Sequence, residues 1–156
     1  MPKSPAIDIS TTSFINVDLD LTSRRNLTAL VEGLSARSRM HVLFNERIGR
    51  IFHATLELGG AAAIAGSAMN GAPDRIIRRM SRIVLGLPAD LRAQWASASK
   101  RIFDLGFHCG DTRLVIPCLE PTTIRLVAEL DATVAVTLYP PERTARSSAR
   151  RTSASR

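Results

Sequence analysis

The residues of this chain that could do chemistry fall into three groups, and spacing rather than any motif defines them. From Ser13 to Leu21, the polar residues Asn16, Asp18 and Asp20 alternate with Ile15, Val17, Leu19 and Leu21. That is the period of a strand with one wet face. If helices cover the apolar side, Asn16, Asp18, Asp20, His53, Thr55, Glu57, Asp104, His108 and Arg113 converge on the other. Carboxylates and imidazoles gathered there can bind a divalent ion or move protons. Asp18 and Asp20 stand one strand repeat apart, about 7 Å between Cα atoms, which lets them share a hard cation. Against this, any half-buried antiparallel strand turns polar residues to water. Neither His-Glu-x-x-His nor Asp-x-Asp-x-Asp-Gly is present to fix a ligand geometry. Asp18, Asp20, His53, Asp104 and His108 therefore stand as a candidate polar sheet face, with no metal assigned to it.

The second group is Arg75, Arg78, Arg79 and Arg82, which fall at i, i+3, i+4 and i+7 and make one basic stripe on a helix. Four guanidinium groups can grip phosphates or an acidic partner. They also supply the charged outer face that an amphipathic helix needs. The third group is the tail from Glu142 to Arg156, whose Arg143, Arg146, Arg150, Arg151 and Arg156 offer salt-dependent affinity for nucleic acid or anionic surfaces. Aromatic residues for base stacking make up only 4% of the chain, and none lies in the tail. A solubilising extension is the preferred reading of it.

Nucleophiles carry less. Cys118 falls on an apolar strand face, where a free thiol behaves as a small hydrophobe. His108 and Cys109 are adjacent, so on a strand they point to opposite sides. The chain has no Gly-x-Ser-x-Gly elbow, P-loop or dinucleotide fingerprint. No catalytic residue and no cofactor is assigned.

The elements that must position these groups are legible in the periodicity. The strand at Ser13 to Leu21 is followed by a helix through Leu27, Leu30, Val31 and Leu34, capped by Thr22 or Ser23. Met40 to Phe44 and Arg50 to Leu58 read as a hairpin around Asn45 to Gly49. Residues 59 to 71 hold too many glycines for a helix and read as a flexible connection. The longest helix opens at Pro73 or Asp74 and carries Ile76, Ile77, Met80, Ile83, Val84 and Leu87 as its stripe. Pro88 starts a second helical piece with Leu91 and Trp95.

Phe103 to Cys109 and Arg113 to Cys118 flank Gly110-Asp111 and read as a tight hairpin, with Phe107 opposite Leu114, Leu105 opposite Ile116 and Phe103 opposite Cys118. Its register holds the two cysteines on the order of 20 Å apart, too far for a disulfide. Pro121 opens a last helix, and Ala132 to Leu138 a last strand with Val134, Val136 and Leu138 inward. Helices alternating with hairpins define an α+β fold: an antiparallel or mixed sheet of about six strands with helices packed on one face.

Three of these pieces, Phe14 to Leu21, Phe103-Asp104-Leu105-Gly106 and Val134 to Pro141, resemble those of small bacterial proteins of unknown function. In that family an Asn/Asp-rich opening strand, a Phe-Asp-hydrophobic-Gly strand and a closing Thr-hydrophobic-Tyr strand recur. The resemblance covers residues 13 to 141. It implies an α+β fold and a bacterial cytosolic setting, and brings no catalytic residue with it.

At 156 residues the chain supports one core. The reading is a flexible N-terminus over 1–12, a single domain over 13–141 and a disordered Arg/Ser-rich tail over 142–156. The formal charge of +7 divides unevenly, because five Arg and one Glu put +4 into the tail and leave +3 for the rest. Two cysteines do not make a secreted disulfide scaffold, and neither a secretory apolar core nor a membrane span is present, so a cytoplasmic setting is expected. The expected function is a noncatalytic protein-binding module, immunity-like or regulatory, whose partner is another protein. The alternatives are a nucleic-acid-associated protein using the Arg helix and basic tail, and a small metal-dependent enzyme on the polar sheet face.

Overall fold

A computed structural model describes residues 12–38, 40–59, 71–110 and 118–140. Among them are five strands and four helices in the order β1 (Ser13–Ser23), α1 (Thr28–Ser38), β2 (Met40–Ile48), β3 (Ile51–Leu58), α2 (Ala72–Leu85), α3 (Ala89–Ser97), β4 (Lys100–His108), α4 (Pro121–Glu129) and β5 (Thr133–Tyr139). The strands form one mixed sheet, ordered β2-β3-β1-β4-β5. All neighbours are antiparallel except β4 and β5, whose parallel pairing is made possible by α4 crossing between them. The fold is α+β.

The alternation in β1 does what its period requires. Val17, Leu19 and Leu21 are buried on the side that also takes Ala54, Leu56 and Leu58 from β3 and Phe103, Leu105 and Phe107 from β4. Against this face lie Leu27, Leu30, Val31 and Leu34 at the first helix, Ile76, Ile77, Met80 and Val84 from α2, and Trp95 from α3. Each such large side chain taken out of water contributes about 1.5–3 kcal/mol. Trp95 is held there by its indole N–H, which donates to the Leu130 carbonyl at 3.0 Å.

Several expectations shift for local reasons. Ile15 does not join the inner row. A register shift between Phe14 and Asn16 inserts a residue there, so Phe14 packs edge-on against Phe107 while Ile15 is 39% exposed. The first helix is capped by Asn26, whose Oδ1 accepts from the Thr28 N–H at 2.8 Å, and not by Thr22 or Ser23, which lie within β1. The β2–β3 connection is shorter than expected: Asn45 to Ile48 belong to β2, and Gly49 with Arg50 makes the turn. Gly49 has φ 62, and glycine at the first linking position suits a tight two-residue hairpin.

The expected register of a Gly110-Asp111 hairpin is overturned. Phe103 faces Leu19 on one side and Val134 on the other, and Leu105 and Phe107 are likewise flanked by β1 and β5. Neither edge of β4 is left open. Of the sixth strand expected at Arg113 to Cys118, all but Cys118 lies outside the described residues, as do the 60–70 stretch and the tail from 141 onward. The two cysteines do not form a disulfide.

Candidate functional site

Side chains directed away from the helices cover the outer face of the sheet, and the strand registers place them in transverse rows. Asp18 faces Glu57 on β3 and Asp104 on β4, and His41 faces Glu57 from β2. One row therefore reads His41, Glu57, Asp18, Asp104, Ala135 across five strands. In the adjacent row, Asp20 sits between Thr55 and Ile102. Like charges directly opposite one another destabilise a sheet. Here three carboxylates face one another in a line and a fourth, Asp20, stands beside them.

The electrostatic consequence is concentrated on Asp18. Its pKa is raised from 3.8 to about 6, first by burial and then by the charges of Asp20, Glu57 and Asp104, against a smaller lowering from the Asn16 hydrogen bond. That bond runs from the Asn16 Nδ2 to the Asp18 Oδ1 at 2.9 Å. Asp20 accepts from the Thr55 hydroxyl at 2.6 Å, and the Asp104 Oδ2 accepts from the Thr137 hydroxyl at 2.7 Å. The other Asp104 oxygen is buried and has no donor. Among the described residues the ion pairs are Arg78–Asp74 and Arg101–Asp131, so no cation neutralises the row.

Gly106 is part of this arrangement. It faces Asn16 across β1 and β4, and a Cβ there would lie 2.6 Å from the Asn16 Oδ1. The missing side chain is what lets Asn16 lie flat over β4 and reach Asp18.

The two histidines expected on this face do not join the carboxylates. His53 faces Thr22, four residues along β3 from Glu57, while His108 faces Ser13, four residues along β4 from Asp104 in the other direction. Each is about 13 Å from the row at strand rise. Neither imidazole joins the row, and His53 instead stands opposite Glu46 on β2. Among the described residues no three His, Cys, Asp or Glu side chains take up a metal-holding arrangement. Arg113 lies outside the described residues.

The Arg stripe on α2 is divided. Arg75, Arg79 and Arg82 are exposed, but Arg78 is drawn inward. Its guanidinium pairs with the Asp74 carboxylate and its Nε donates to the Thr123 hydroxyl at 3.2 Å. Asp74 is 5% exposed and its second oxygen accepts from the Glu120 N–H at 2.8 Å, at the start of α4. Arg78 thus holds α4 onto α2 and is spent as a structural strut.

Arg101 is a second structural arginine, one that periodicity gave no reason to single out. Its Nη1 donates to the carbonyls of Trp95, Ala96 and Ala98 at 3.0, 3.0 and 2.8 Å, closing the end of α3. Its Nε donates to the Asp131 carbonyl at 2.9 Å, at the turn into β5 where Asp131 has φ 50. A pocket of about 200 Å³ opens beside it, lined by Trp95, Arg92, Glu129 and Leu130 among others and by none of the sheet-face carboxylates.

No family model, curated protein or solved structure matches the chain. No helix among the described residues is long and apolar enough to cross a membrane.

Proposed function

We propose that the protein is a noncatalytic binding module that recognises a basic segment of another protein on the outer face of its sheet. The observation that carries this reading is the row Glu57, Asp18, Asp104 with Asp20 beside it, uncovered by helices and unpaired with any cation among the described residues. Burial of Asp18, together with the charges of Asp20, Glu57 and Asp104, raises its pKa to about 6 and costs stability in the free protein at neutral pH. Guanidinium or ammonium groups from a partner would relieve the repulsion among these carboxylates. An immunity-like or regulatory role belongs to the same proposal, and so does the bacterial cytosolic setting that the strand resemblance implies.

The test is a titration of the 15N-labelled full chain with a synthetic Arg/Lys-rich peptide, with an Asp/Glu-rich peptide and a short duplex DNA as comparisons. The proposal expects amide shifts centred on Asp18, Glu57 and Asp104 with the basic peptide alone, weakened in Asp104→Asn. Shifts centred on Arg75, Arg79 and Arg82 with the acidic peptide or the DNA would reject it in favour of the arginine face.

A further inference from the structure

Two sheet edges end the fold, and they are built differently. The β2 edge carries His41, Asn45, Glu46 and Arg47 and a register shift between Val42 and Phe44. Charge and a bulge on an edge are what discourage another strand from pairing with it. The β5 edge has neither. Its seven residues, Thr-Val-Ala-Val-Thr-Leu-Tyr, include no charged side chain and no proline, and pair with β4 without a register shift.

The backbone polarity of β5 is fixed by one bond. The Tyr139 carbonyl accepts from the Cys109 N–H at 2.8 Å, on the β4 side. Backbone groups alternate sides along a strand, so Thr133, Ala135, Thr137 and Tyr139 bond toward β4. Val134, Val136 and Leu138 therefore direct their N–H and C=O groups to the open edge. Their side chains share the helix-facing side, yet Val136 is 55% and Leu138 60% exposed, contrary to the expectation that all three turn inward to a core. Val134 alone packs against the core margin. Among the described residues, unpaired backbone groups and uncovered apolar side chains thus coincide on the same three residues.

We infer that β5 is a self-association edge, at which a second copy of this chain adds its own β5 antiparallel across a two-fold axis through Val136. That register sets Val134 opposite Leu138 of the other copy and Val136 opposite itself. Every outward residue then falls in a hydrogen-bonded pair, giving about six backbone bonds, and the apolar side chains of the two copies form one continuous row. An axis moved to Thr137 would bring Pro140, which has no N–H, into the ladder. An axis moved to Ala135 would leave Leu138 opposite Ala132 at the margin. The strand is neutral, so two molecules that each carry +7 meet there without opposed charges.

The contact is about 23 Å long and, with the helix layer behind the sheet, about 20 Å deep. That buries roughly 900 Å² in total, below the ~1,200 Å² at which stable interfaces begin. The dimer is accordingly weak and concentration-dependent. It leaves the acidic outer face of both copies open, so it stands apart from the proposed binding of a basic partner.

Sedimentation equilibrium of the full chain from about 5 to about 500 μM is the test, with Val136→Lys and Leu138→Lys on β5 and Ile48→Lys on β2. The expected result is a monomer–dimer equilibrium in the unaltered chain and in Ile48→Lys, with the dissociation constant raised about 100-fold or more in Val136→Lys, where two lysines oppose each other at the axis, and in Leu138→Lys, where a charge is set against Val134 of the other copy. Amide exchange at Val134, Val136 and Leu138 in the unaltered chain checks the same point without substitution, and should slow as concentration rises. A chain that stays monomeric throughout, a dimer lost on Ile48→Lys but kept by the β5 variants, or protection of those three amides independent of concentration, as an intrachain cover would give, overturns the inference.

Discussion

Replacing Asp18 with Asn should make the protein more stable at neutral pH, and only there. Asp18 is a half-buried carboxyl whose pKa rises from 3.8 to about 6 in the folded chain. The native state then holds the proton more tightly than the unfolded chain does, so stability falls as pH rises through this interval. The loss begins near pH 4, where the unfolded carboxyl ionises, and is complete above about pH 7. In a dry site a shift of that size would correspond to about 3 kcal/mol; solvent screening of a half-buried group reduces this to about 1–2 kcal/mol. Asn keeps the oxygen that accepts from Asn16 and removes the charge facing Asp20, Glu57 and Asp104. Urea denaturation of both proteins at pH 4, 5, 6 and 7.5 measures the effect. The expected gain is near zero at pH 4 and grows to about 1–2 kcal/mol at pH 7.5. A gain that is absent, or the same at pH 4 and pH 7.5, would refute the reasoning.

The remaining predictions separate structural arginines from available ones and test the support of the acidic row. Arg78→Ala should cost about 2–4 kcal/mol, because Asp74 is left buried with the Glu120 N–H as its remaining donor, whereas Arg79→Ala should stay within about 0.5 kcal/mol; chemical denaturation distinguishes them. Arg101→Ala should cost about 2–4 kcal/mol through the carbonyls it leaves at the end of α3, while Asp131→Asn should cost under about 1 kcal/mol, since that carboxylate is 91% exposed and Asn tolerates its positive φ. Melting curves of the two variants check the contrast. Gly106→Ala should push Asn16 aside at a cost of about 1 kcal/mol and move the Asp18 pKa further up, because the hydrogen bond that lowers it is lost. Carboxyl 13C shifts followed across pH detect that movement.

The sheet and its faces were readable because a strand's period is short and its errors are local. Val17, Leu19, Leu21, Asp18 and Asp20 fall where alternation puts them, and so does the stripe Ile76, Ile77, Met80 and Val84 on α2. What periodicity does not encode is which strands become neighbours. Gly110-Asp111 looks like a hairpin turn, but β4 is already flanked by β1 and β5, and long-range pairing of that kind leaves no local mark. The same holds for the site. Asp18, Asp20 and Asp104 were identifiable as outward polar residues, but only the register brings Asp104 beside Asp18 and sends His53 and His108 to opposite ends. Arg78 reads as one more surface arginine until Asp74 and Thr123 are seen to hold it. Arg101 gives no signal at all, because its partners are four backbone carbonyls and the Asp131 carboxylate thirty residues away.

The carboxyl of Asp18 reports most directly on whether the outer sheet face is a surface for cationic partners. Its titration should be followed by 13C NMR in the full chain, free and then saturated with the Arg/Lys-rich peptide. Binding of positive charge beside the row must favour the ionised form, so the midpoint should fall from about 6 in the free protein toward the ordinary value of 3.8. A midpoint that stays near 6 under saturating peptide, or one that is already ordinary in the free protein, would contradict the account.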